Sequence, residues 1–176
     1  MDDIHIVLDF NAVRQEFTKP IAVVSCTVLA EIEEALLTVQ EYQAKGYWAA
    51  GFISYEAGAA FTSGMRYRKN VIRRATSLPL LWFGIFKTVK TVKTRQYTPV
   101  GSPKIYLKKF SITKRSYVRA IALIKERIAR GAVYQINFTM KRRFVFQGEA
   151  RGLYDFLRKR QPVSYGAFIR TGSFSV

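Results

Sequence analysis

Val133-Tyr134-Gln135-Ile136-Asn137-Phe138-Thr139-Met140 alternates strictly between apolar and polar side chains. Successive residues of a β-strand point to opposite faces, so this spacing puts Tyr134, Ile136 and Phe138 on one face and Gln135, Asn137 and Thr139 on the other. The aromatic face predicts burial against a helix or a sheet. The other face then carries two carboxamides and a hydroxyl in a row, and these must meet water, a ligand or each other. Immediately before it, Tyr117, Ile121, Ile124 and Ile128 recur at helical spacing from Tyr117 to Arg130, with Thr113 or Ser116 able to cap the start and Gly131 to end it.

The flanking sequence supplies the other elements. Ile4–Leu8 and Ile21–Val24 are short β-prone runs. Val28 to Lys45 has the apolar period of a helix, with acidic residues in its first turns and Gly46 as its stop. Tyr47–Tyr55 is small, aromatic and nearly uncharged, as a strand covered on both faces would be, and Leu78–Phe86 reads the same way. Thr62 to Ser77 reads as a surface loop, Val89 to Pro103 as a hairpin edge or loop, and Lys104 to Phe110 as a strand. A last helix spans roughly Ala150 to Arg160. A strand follows from Tyr165 to Ile169, and Ser173–Val176 begins another.

At 176 residues, with 49% apolar and 14% aromatic side chains, the chain can bury a core, and one domain is expected. The net charge of +17 conceals two unlike parts: residues 1–60 carry 3 Lys/Arg against 9 Asp/Glu, and residues 61–176 carry 26 against 3. The basic part predicts salt-sensitive adhesion to polyanions by counterion release, and it motivates an alternative reading as a basic nucleic-acid-binding module. Against that reading, aromatics interleaved with Ile136 are core in character, and Lys141-Arg142-Arg143 is a solvated turn at a strand end. No apolar run of about 18 residues is present and the start is acidic, so neither a membrane span nor secretion is expected. The lone Cys26 allows no internal disulfide, which suits a cytoplasmic protein.

Several chemistries are excluded by content. With His5 as its one histidine, the chain builds no His-based triad and no His metal cluster. Cys26 reads as a small buried thiol. Glu31, Glu33 and Glu34 read as the acidic start of a helix, and the glycines are too far apart for a nucleotide-binding loop. No catalytic residue and no metal ligand is assigned.

Four stretches, in order, carry a resemblance: Gly51-Phe52-Ile53-Ser54-Tyr55-Glu56-Ala57-Gly58; Pro79-Leu80-Leu81-Trp82-Phe83-Gly84-Ile85-Phe86; Tyr117 through Gly131-Ala132-Val133-Tyr134-Gln135-Ile136-Asn137; and Leu153-Tyr154 with Gln161-Pro162 and Tyr165. Together they resemble the chorismate-utilising enzymes, the family of aminodeoxychorismate, anthranilate and isochorismate synthases, and within it component I of aminodeoxychorismate synthase. The resemblance implies an α+β fold of antiparallel sheets packed face to face with outer helices, and a substrate pocket whose floor includes Tyr134 to Thr139, with Gln135 and Asn137 binding substrate.

In family members that add water to chorismate, a lysine at the position of Gln135 is the general base, whereas those using ammonia are similar to this chain and have glutamine. A neutral amide cannot deprotonate water near pH 7, but it can hold a hydroxyl or an amine. Asn137 favours the aminodeoxychorismate branch over an anthranilate synthase component I fragment. The implied reaction replaces the 4-hydroxyl of chorismate by an amino group for 4-aminobenzoate and folate synthesis. It uses Mg2+ on the substrate carboxylate and ammonia from a glutamine amidotransferase subunit. The family's acidic Mg2+ ligands and its Pro-Ile-Lys-Gly-Thr type motif belong to a later half and match nothing in residues 1–176. The expectation is therefore a truncated N-terminal portion, inactive alone and dependent on a complementing C-terminal fragment. Ala132, where the family carries an acid, and the basic stretch Arg66 to Arg74 depart from the pattern.

Overall fold

The computed structural model describes residues 3–11, 13–61, 78–93, 101 and 103–176, with backbone alone at 107 and 108. The stretch expected as a loop from Thr62 to Ser77, and part of Val89 to Pro103, lie outside the described residues. Two compact units divide the chain: residues 1–99 with 157–176, and residues 100–156.

The first unit begins with an antiparallel hairpin. β1 (His5–Phe10) and β2 (Val13–Thr18) pair from His5↔Thr18 to Phe10↔Val13, and Asn11 takes φ 52°, a left-handed conformation that asparagine tolerates. β2 is not foreseen by the apolar pattern, because Arg14, Gln15 and Glu16 interrupt it. β6 (Lys90–Lys93) flanks β2 and β9 (Tyr165–Arg170) flanks β1, giving a four-stranded antiparallel sheet in the order β6-β2-β1-β9. A second sheet has β5 (Leu81–Phe86) between β3 (Ala22–Cys26) and β4 (Trp48–Ile53), again antiparallel.

Strand parity sorts the side chains into layers. Ile6, Phe17 and Ile169 of the first sheet meet Ala50, Trp82 and Phe86 of the second in one buried cluster, so the sheets pack face to face. The intervening residues of the second sheet, Leu81 and Cys26 among them, point the other way. They are covered by α1 (Ile32–Ala44) through Ile32 and Ala35, and by a 3-10 turn at Tyr55–Ala60 through Ala57. The fold class expected from the resemblance, α+β with packed antiparallel sheets and outer helices, is the one observed here. Gly51 is required where it stands: a Cβ there would sit 2.0 Å from the carbonyl oxygen of Trp82 on the neighbouring strand. Phe174 adds its ring edge-on to both Phe52 (5.9 Å) and Trp82 (6.1 Å). The chain turns at Thr171, and Val176 exchanges both backbone hydrogen bonds with Ile169 at 2.9 Å, so the closing residues do begin a further pairing.

The outer face of the four-stranded sheet is also buried, and it carries charge. Asp9 and Arg14, cross-strand partners beside the hairpin turn, are 0% and 1% exposed. Arg14 donates from Nε and Nη2 to the two carboxylate oxygens at 2.7 and 2.8 Å. Arg158, from α3 (Ala150–Arg160), places Nη1 3.2 Å from Asp9 Oδ2.

Cys26 is buried, as its reading as a small core thiol requires. Burial, and then the negative charge of Glu31, push its thiol above the ordinary value of 9.0, while backbone hydrogen bonds from Leu81 and Val28 pull the other way. The folded state therefore keeps this proton in a pH range where the unfolded chain has released it. Its contribution to stability is complete below about pH 9 and is lost as pH rises further. Between pH 8 and 10.5 the urea midpoint should fall more steeply for the native sequence than for Cys26→Ala; parallel slopes would refute the assignment.

In the second unit, β7 (Lys104–Phe110) and β8 (Arg142–Gln147) form a two-stranded antiparallel sheet with an irregularity between Tyr106 and Lys109. Lys141-Arg142-Arg143, read as a solvated turn, is exposed as that reading requires, but Arg142 and Arg143 open β8 and do not form a turn, and Arg142 lies over the Phe110 ring at 5.2 Å. α2 (Lys114–Ala129) is capped by Thr113, whose Oγ1 accepts from the Ser116 amide at 3.1 Å.

Candidate functional site

The segment singled out in the sequence is held at both ends. At the C-terminus of α2, Gly131 takes φ 70°, its N–H donates to Ile128 O, and Ala132 N–H donates to Arg127 O, both at 3.0 Å. This is the Schellman arrangement that glycine makes accessible. At the far end, Ser111 N–H donates to Lys141 O at 2.8 Å, and the Lys141 amide donates to Ser111 Oγ at 3.0 Å. The segment thus runs back along α2 and touches it where the Phe138 and Tyr117 rings lie 5.8 Å apart.

The strand expected from Val133 to Met140 is corrected in two respects. The segment belongs to no sheet: the backbone bends at Tyr134 and runs on irregularly, and β8 begins only at Arg142. The aromatic face is also not buried, for Tyr134 is 94% exposed and Ile136 and Phe138 are each 39% exposed. Alternation describes one segment, whereas a ladder needs a neighbour, and the described residues place none beside it.

The parity of the carboxamides does hold. Gln135 Nε2 donates to Asn137 Oδ1 at 3.2 Å, so the two amides stand on the same side of the chain and engage each other. Both residues are exposed, as is Thr139. Each amide keeps further donor and acceptor capacity after this one bond, so the pair can receive a hydroxyl, an amine or a carboxylate without contributing a proton-transfer group of its own. The field around it is positive: residues 100–156 carry 13 Lys/Arg against 3 Asp/Glu. Lys141, Arg142 and Arg143 follow the segment directly.

Residues 8–176 match the model of the family described as chorismate binding enzyme. The chain belongs to that family. No curated protein matches it. As a member of the chorismate-binding family it takes chorismate as its ligand class, in keeping with the resemblance carried by the four sequence stretches. Among the described residues, no three of His, Cys, Asp and Glu come together as a metal would require. The described residues thus offer no such set for the Mg2+ that the resemblance implies, and no chemistry is routed through it below. No helix among the described residues is long and apolar enough to cross a membrane.

Sequence reasoning missed the Asp9–Arg14–Arg158 cluster. The available signal was an acid at the end of an apolar strand and a base just past an asparagine turn, which places the two charges opposite each other in a hairpin. Arg158 carries no such local signal, since its approach to Asp9 spans nearly the whole chain.

Proposed function

We propose that this chain supplies the amide-bearing part of an aminodeoxychorismate synthase component I type site, in a cytoplasmic enzyme that aminates chorismate at C4. The observation that carries the reading is the Gln135–Asn137 pair, two neutral carboxamides on one side of the chain. In this role Gln135 and Asn137 hold the substrate hydroxyl and the incoming ammonia by hydrogen bonds. A glutamine at this place cannot act as the base for water addition, which favours amination over hydration. The surrounding cationic surface raises the local concentration of a dicarboxylate such as chorismate. Ammonia comes from a glutamine amidotransferase subunit. The acidic ligands for Mg2+ come from a complementing C-terminal segment, because these 176 residues contain no such set among those described.

Two assays test this reading. The purified chain with Mg2+, chorismate and ammonia should form no aminodeoxychorismate, and robust turnover would refute the need for a complement. Co-expressed with the C-terminal half of a component I enzyme, it should recover amination. Gln135→Ala should then lower kcat/KM by roughly 10- to 100-fold, the worth of one or two lost polar contacts. Formation of anthranilate by the complemented enzyme, or indifference to Gln135→Ala, would overturn the proposal.

A further inference from the structure

We draw no further inference here: the strongest candidate, the buried charge cluster of Asp9, Arg14 and Arg158 on the outer face of the four-stranded sheet, is closed by its own ion pairs at 2.7 and 3.2 Å, and nothing among the described residues points to a ligand or partner at it.

Discussion

Asp9→Ala should destabilise the first unit by about 3–5 kcal/mol, the cost of removing one partner from a buried ion pair. Arg14 is 1% exposed and donates to both Asp9 oxygens, and Arg158 approaches the same carboxylate at 3.2 Å. Without Asp9, the Arg14 and Arg158 guanidinium groups lose the carboxylate they share at a buried site. The loss is not the intrinsic value of the pair. It measures the penalty for leaving cations in a poorly solvated place. Replacing Asp9 and Arg14 together by Leu and Met should therefore cost less than Asp9→Ala, since the most deeply buried cation is removed together with the anion it pairs with. Urea unfolding followed by tryptophan fluorescence reads both variants. A cost below about 1 kcal/mol for Asp9→Ala, or a larger cost for the double replacement, would show that the cluster does not behave as a buried ion pair.

Phe86→Ala should cost a similar amount, about 3–5 kcal/mol, because it removes a large side chain from between the two packed sheets. Phe86 is 1% exposed, lies 5.2 Å from the Phe17 ring, and folds back over Gly84 on its own strand. A Cβ at Gly84 would lie 2.6 Å from the Phe86 ring, so the ring occupies the space this glycine leaves. The two positions are coupled. Gly84→Ala alone should destabilise by about 1–3 kcal/mol through overpacking, and in the Phe86→Ala background it should cost little or become stabilising by refilling the void. Thermal or urea denaturation of the four chains closes the cycle. Additive losses would mean that the ring does not sit over Gly84 in solution.

Much of this architecture can be read from residue order. The helical period of Val28–Lys45, the cap at Thr113, the stop at Gly131 and the apolar strands at Tyr47–Tyr55 and Leu78–Phe86 all depend on neighbours within a few residues, and all appear close to where they were expected. The elements that escaped notice depend on distant partners. β2 is a polar sequence made a strand by β1 and β6 on either side. β8 is a basic run made a strand by β7. Tyr134–Met140 is the converse case: the best alternating sequence in the chain belongs to no sheet.

The sequence alone determined side-chain parity, which is why Gln135 and Asn137 stand together, and residues 8–176 of it match the chorismate-binding family. Tertiary structure decided which alternating or polar segments acquired strand neighbours and which charges were buried. Parity follows from the geometry of a single backbone, whereas hydrogen-bonded ladders and buried ion pairs such as Asp9 with Arg158 exist only where folding brings separate parts of the chain into register.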